Sequence, residues 1–189
     1  STSYGYFPAG SIHLCVVDPG VGTSRAAIAV RKGGHTFVGP DNGIFSFLYP
    51  AEEATEILWR PEGPVSPTFH ARDVFAPAIG EIMKGTPPRQ LGRPLSHPVR
   101  FDTARPMVVH IDRFGTVITN IGCSKLRQGC AVLMGKARID RIVQTFSDIP
   151  PGEPALFCGS ASTVEIAANR RRAADILGAE VGMELVVEP

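Results

Sequence analysis

The sequence predicts an α/β domain followed by a small, mainly β, barrel-like domain. Three observations lead there. A near-continuous apolar run, Ser11-Ile-His-Leu-Cys-Val-Val17, stops abruptly at Asp18-Pro-Gly20, the pattern of a strand buried on both faces. A stretch from Val74 to Lys84 sets Val74, Phe75, Ala78, Ile79 and Ile82 on one helical face. Past a segment at 86–106 with five prolines, the chain breaks into short strand-like runs divided by Gly, Pro and Asp turns. The expected domains are 1–95 and 96–189.

The elements follow in order. Strands are expected at 26–31, 36–38 and 54–59, with a sharp turn at Gly39-Pro-Asp-Asn-Gly43 and a short helix at 44–49. Asp73 reads as the N-cap of the helix from Val74, and Gly85 ends it. In the second domain the strand-like runs are 107–111, 116–119, 130–134, 137–143, 155–158, 163–167 and 184–188, with one short helix around 169–177.

Composition narrows the function classes. Hydrophobic residues make up 43% and charged residues 20%, which argues against disorder. The formal net charge of +1 supplies no overall field for nucleic acid or a membrane surface. The dense basic cluster Asn169-Arg-Arg-Arg172 reads as a solvated helix start rather than a phosphate-binding patch. No apolar run approaches the roughly 20 residues that span a bilayer. Cys15, Cys123, Cys130 and Cys158 show no C-x-x-C spacing, so no zinc site is expected. Cys15 and Cys158 sit in apolar runs and read as core hydrophobes, which implies a reducing, cytoplasmic setting without disulfides. The chain begins at Ser1 without an initiator Met, as a processed product or a fragment does.

Four constellations are candidates for chemistry. Asp18-Pro-Gly-Val-Gly-Thr-Ser-Arg25 places a carboxylate at the carboxyl end of a strand, where open sheets bind ligands. Arg25 either curls back onto Asp18, or Asp18 caps the turn and Arg25 is surface. The loop lacks the Lys-Ser/Thr ending of a phosphate loop. His70, in Thr68-Phe-His-Ala-Arg-Asp73, either overlooks a ligand or is an ordinary exposed His. In His110-Ile-Asp-Arg-Phe-Gly-Thr116, Asp112 is either a hairpin cap or a hook for an amine or hydroxyl beside the flat face of Phe114. In the last, Ser160 ends a strand, and Glu165 either meets a partner or lies in water on an edge strand.

Taken together, these segments resemble the adenosine-forming S-adenosyl-L-methionine (SAM) hydrolases, the SAM hydroxide adenosyltransferases formerly called DUF62, which are relatives of the SAM-dependent fluorinase and chlorinase. The matching stretches are Val16-Val-Asp-Pro-Gly-Val-Gly-Thr23 with Arg25, Phe37-Val-Gly-Pro-Asp-Asn-Gly43, Thr68 to Pro77, Ile111-Asp-Arg-Phe-Gly115 with Ile118-Thr-Asn-Ile121, and Gly152-Glu-Pro-Ala155 leading to Ser160. They run through nearly the whole chain.

The resemblance implies that hydroxide displaces methionine from C5′ of SAM, giving adenosine and L-methionine. It makes Asp18, Arg25 and His70 the water-activating set. It gives Asp112 the methionine amino group, Phe114 and Phe146 the adenine faces, and Thr116, Ser160, Glu165 and the Ala168–Asn169 backbone the remaining contacts. No cofactor and no metal are implied. The partners implied are SAM and adenosine, with no nucleic acid and no membrane, and a homotrimer with sites between subunits. In the halogenases, tyrosines occupy the positions matching Asp18 and His70, so the residues here favour water over halide. Halogenation, or binding of adenosine or SAM by a truncated protein without turnover, are the alternatives. The family usually has Asn where Thr116 stands and Gly where Ala71 stands. It also carries a longer opening segment, including a Thr-Asp-Phe-Gly type motif that holds the ribose hydroxyls. The resemblance therefore implies a first domain truncated at its start.

Overall fold

Ala26-Ala-Ile-Ala-Val30 is apolar at five successive positions, and it forms the middle of a sheet. The computed structural model describes residues 3–102 and 104–189. It divides into two compact units, Ser1–Asp102 and Thr103–Pro189.

The first unit holds a five-stranded sheet in the order β1-β3-β2-β4-β5. The strands are β1 (Ile12–Leu14), β2 (Ala27–Lys32), β3 (His35–Pro40), β4 (Glu53–Ile57) and β5 (Gly92–Pro94). Only β1 and β3 are parallel; β2–β3, β2–β4 and β4–β5 are antiparallel. β2 is buried on both faces. Ala27 and Ala29 pack with Val38, Ile57, Val74, Phe75 and Ala78 on one side. Ile28 and Val30 pack with Phe37, Phe45 and Leu48 on the other.

Three expectations change here. The strand within the run 11–17 is shorter than expected, Ile12–Leu14. β1 ends at Leu14 at the sheet edge, with β3 beside it and no second neighbour among the described residues. Val17, past the end of the strand, is 70% exposed. Asp73 is not an N-cap: a π-helical turn, Ala71–Phe75, begins before it and runs into α1 (Ala76–Met83). The Asp73 carboxylate instead accepts the Ser66 N–H at 2.8 Å and pairs with Arg72 at 2.6 Å. The proline-rich segment is not free linker throughout, because β5 within it pairs with β4.

The second unit contains β6 (Val108–Ile111), β7 (Val117–Gly122), β8 (Ala131–Met134), β9 (Ala137–Ile139), β10 (Pro154–Cys158), β11 (Thr163–Ala168), β12 (Leu185–Glu188) and the short helix α2 (Ala173–Leu177). They form two sheets, β10-β11-β7-β6 and β12-β8-β9. Val108, Val117, Leu156, Val164 and Ile166 of one sheet share a core with Val132, Met134, Ile139 and Leu185 of the other. Among the described residues no closed barrel forms. Isolated bridges, Met107 with Glu184 and Ile142 with Leu156, and the backbone hydrogen bonds beside them tie the sheets at their edges.

The cysteine reading is also corrected, because Cys123 and Cys158 form a disulfide. Thirty-five residues separate them in sequence. Yet β7 and β10 both flank β11, and the strand ends bring the two Cα atoms to 5.5 Å. Cys158 closes an apolar run but its side chain faces out. Cys15 and Cys130 are free. No helix among the described residues is long and apolar enough to cross a membrane.

Candidate active site

In the first unit, Asp18 follows β1 and opens the turn that leads to β2. The turn is held by Val21 N–H on the Asp18 carbonyl (3.2 Å) and by the Thr23 hydroxyl on the Gly20 carbonyl (2.7 Å). Gly22 has φ +79°, and a Cβ there would lie 2.4 Å from the Pro67 carbonyl oxygen. Only glycine lets this turn meet the 66–70 loop. That approach brings His70 to Arg25, 45 positions away in sequence.

Arg25 joins the three residues. Its Nε donates to both Asp18 oxygens at 2.9 and 3.0 Å, and one Nη donates again to Oδ2. The same Nη lies 3.0 Å from His70 Nδ1. The guanidinium has no lone pair to offer, so Nδ1 must accept, and the His70 proton resides on Nε2. The Arg25 and Asp18 side chains are 10% and 5% exposed, so the pair is largely shielded from water. Phe75, fully buried, lies under the guanidinium at 5.1 Å from its ring centroid. The Asn42 amide donates to the Val17 carbonyl at 2.7 Å, which pins the residue next to Asp18.

A second cluster lies in the other unit. Asp112 Oδ1 accepts the Phe114 and Thr116 N–H groups at 2.8 and 2.9 Å, so this carboxylate shapes its own turn. Asp112, Phe114, Thr116, Phe146 and Ala168 line a cavity of about 410 Å³, together with Arg171. Phe114 and Phe146 are 66% and 55% exposed, which leaves flat faces open for stacking. Phe146 is steadied by Phe157, centroid to centroid 4.7 Å, and by the Thr145–Asp148 capping box around its turn. Burial, and then the charge of Asp112, push the Glu165 carboxyl above the usual carboxylate range.

Ser160 and Asn169 stand outside this cavity lining. Ser160 is exposed in the turn after β10. The Asn169 amide is taken by the Ile149 carbonyl at 2.9 Å and its own carbonyl by the Gly152 N–H at 3.1 Å.

The chain as a whole is similar to known proteins. The SAM hydroxide adenosyltransferase N-terminal domain model matches residues 1–92, and the C-terminal domain model matches residues 106–186. The chain belongs to the SAM hydroxide adenosyltransferase family. A Thermus thermophilus protein named (R)-S-adenosyl-L-methionine hydrolase is 37% identical over 94% of this chain and 76% of its own. A Salinispora tropica protein of the same name is 38% identical over 96% and 76%. Among solved structures, an uncharacterized conserved protein from Thermotoga maritima superposes with TM-score 0.85 at 30% identity, covering 99% of this chain and 80% of its own.

Asn42, Phe75 and Arg171 also belong to these clusters, though their sequence context assigns them no role. Asn42 sits in the Gly39–Gly43 motif, and Phe75 lies on the helix face already noted, so both had a signal without a role. Arg171 was absorbed into a charged run and gave none.

Proposed function

We propose that the protein hydrolyses SAM to adenosine and L-methionine by attack of water on C5′. The observation that carries this reading is the Asp18–Arg25–His70 contact, which joins a carboxylate and an imidazole through one guanidinium. Water is a poor nucleophile at neutral pH, so it must be oriented and relieved of a proton as it attacks. Asp18 offers oxygen acceptors held in register by Arg25. His70 offers an Nε2–H that orients the water oxygen. The pair is shielded, which strengthens each of these interactions.

The sulfonium leaves as a neutral thioether, so the reaction is proposed to need neither a metal nor a cofactor. In-line positioning then supplies much of the rate. The second unit supports the substrate side of the reading. Phe114 and Phe146 hold adenine, and Asp112 with Glu165 holds the methionine ammonium. Thr116, Ser160, Ala168 and Asn169 complete the proposed contacts. The proposed assembly is a homotrimer, with each substrate held by the first domain of one subunit and the second domain of its neighbour.

Incubation of purified protein with SAM, followed by chromatography, tests the reading. The wild type is expected to release adenosine, and Asp18→Ala to slow this by about 10²–10⁴-fold. No adenosine from the wild type, or equal release from both proteins, would end the proposal. Added chloride or fluoride is expected to yield no 5′-halo-adenosine.

A further inference from the structure

Beside the Phe114 cavity lies a second one of about 420 Å³, and four arginines line it: Arg113, Arg170, Arg171 and Arg172. The two share Phe114, Ala168 and Arg171. Arg170, Arg171 and Arg172 precede α2 rather than forming its first turn, and Arg113 lies in the turn between β6 and β7. Arg172 is held in place by the turn at Asp112. Gly115 has φ +83°, and a Cβ there would lie 2.4 Å from the Arg172 Cβ. An Arg172 Nη donates to the Arg113 carbonyl at 2.5 Å, and the Ala174 N–H donates to the Gly115 carbonyl at 3.0 Å. Arg113 rests over the Phe114 ring at 4.6 Å.

The charge of this wall is poorly cancelled. Arg172 pairs with Asp175 at 3.2 Å. No ion pair to Arg113, Arg170 or Arg171 is found among the described residues. Arg170 also adopts φ +60°, one of only two non-glycine residues in the left-handed region among those described. That backbone costs about 1 kcal/mol or more, and it sets the residue in a wall of like charges instead of dispersing it. SAM does not call for such a wall. It carries a sulfonium, an ammonium and a single carboxylate, so several gathered guanidinium groups oppose its cationic centre.

We infer that the arginine-walled cavity binds the phosphate chain of an adenine nucleotide whose base occupies the Phe114–Phe146 cavity, and that such a nucleotide competes with SAM. This rests on the reading that the two phenylalanines hold adenine. Aromatic faces take the base, and planar guanidinium forks take the phosphate oxygens in pairs. Asp112, in the neighbouring cavity, keeps the phosphates on the arginine side by repulsion. The nucleotide acts as a competitive inhibitor of the hydrolysis.

Titration calorimetry of the purified protein with adenosine, ATP and inorganic tripolyphosphate tests the inference. ATP is expected to bind at least about tenfold more tightly than adenosine, the equivalent of one or two charge-assisted hydrogen bonds. The excess is expected to shrink as salt is raised. Arg170→Glu is expected to remove most of the excess while leaving adenosine binding unchanged. ATP binding no tighter than adenosine overturns the inference, and so does a loss in Arg170→Glu that is equal for both ligands. If adenosine fails to bind and tripolyphosphate matches ATP, the base pocket contributes nothing and the nucleotide assignment is wrong. That last pattern also marks a failure of the adenine reading. ATP failing while adenosine still binds marks a failure of this inference alone.

Discussion

Replacing Arg25 with Lys separates charge from geometry at the proposed water site. Arg25 reaches both Asp18 oxygens through Nε, returns to Oδ2 through Nη, and meets His70 Nδ1 with the same nitrogen. A lysine ammonium keeps the charge beside Asp18 but is a point donor on a flexible stem. It cannot bridge Asp18 and His70 while lying flat over Phe75. With the ion pair only 5–10% exposed, losing one or two charge-assisted hydrogen bonds costs about 2 kcal/mol net of the retained charge. For a protein of this size that lowers Tm by roughly 4–8 °C. The larger effect falls on catalysis: an imidazole displaced by about 1 Å costs on the order of 10²-fold in kcat. KM is expected to stay within about threefold, because the proposed substrate contacts lie elsewhere. Adenosine release under saturating SAM, with thermal melts of the same preparations, reads both quantities. A Lys variant within about threefold of wild-type kcat would refute the claim that the joined geometry matters.

Other consequences follow from the second unit and from the histidines of the first. The Glu165 carboxyl is raised above its ordinary range by burial and then by the charge of Asp112. An ammonium bound beside it favours the ionised form. Over the pH range in which Glu165 is still protonated, SAM binding releases protons, and affinity rises with pH up to the folded Glu165 pKa. Calorimetry in two buffers of different ionisation heat should show the release in wild type and not in Glu165→Gln; equal release in both removes Glu165 from the site. The Cys123–Cys158 bridge closes a loop of about 35 residues, worth roughly 4 kcal/mol in the chain-entropy account. Reductant should lower the urea midpoint of wild type to that of Cys158→Ser, and coincident oxidised and reduced curves would contradict it. His13, stacked on Phe37 at 4.8 Å and 3.1 Å from His35, has its pKa lowered by burial and by the His35 charge. Below its ordinary value of 6.5 the unfolded chain takes up a proton that the folded one resists, so stability falls as pH drops from there. Tm should decline more steeply between about pH 7 and pH 5 in wild type than in His13→Phe, and parallel declines would assign the effect to other groups.

The parts of the fold legible in the sequence are those whose burial is local and periodic. Ala26–Val30 is apolar at every position and lies mid-sheet; Val74, Phe75 and Ala78 repeat at helical spacing and meet it. The run at 11–17 is legible as a strand over Ile12–Leu14, but apolar continuity does not report which strands flank it; among the described residues β1 pairs with β3. Asp73 has the right type and place for a cap, yet tertiary hydrogen bonds to Ser66 and Arg72 claim its carboxylate. The disulfide is hidden because β7 and β10 meet only through β11. Closure of a barrel depends on edge pairing that short strands do not encode.

The candidate site divides in the same way. Each of Asp18, Arg25 and His70 has an ordinary structural explanation alone, and the family pattern is what groups them. The physical reason they meet is Gly22, whose bare Cα admits Pro67. Asp112, Phe114 and Phe146 are legible as exposed or turn residues with chemistry to offer. Arg171 is not, since a run of arginines before a helix looks the same whether solvent or a ligand faces it.

The central claim is that water attacks C5′ of SAM at the Asp18–Arg25–His70 site. Turnover in ¹⁸O-water, with mass spectrometry of both products, tests it most directly. The account predicts one ¹⁸O in the 5′-hydroxyl of adenosine, none in methionine, and loss of labelled adenosine in Asp18→Ala. Adenosine without label, or label appearing in the amino-acid product, would contradict it.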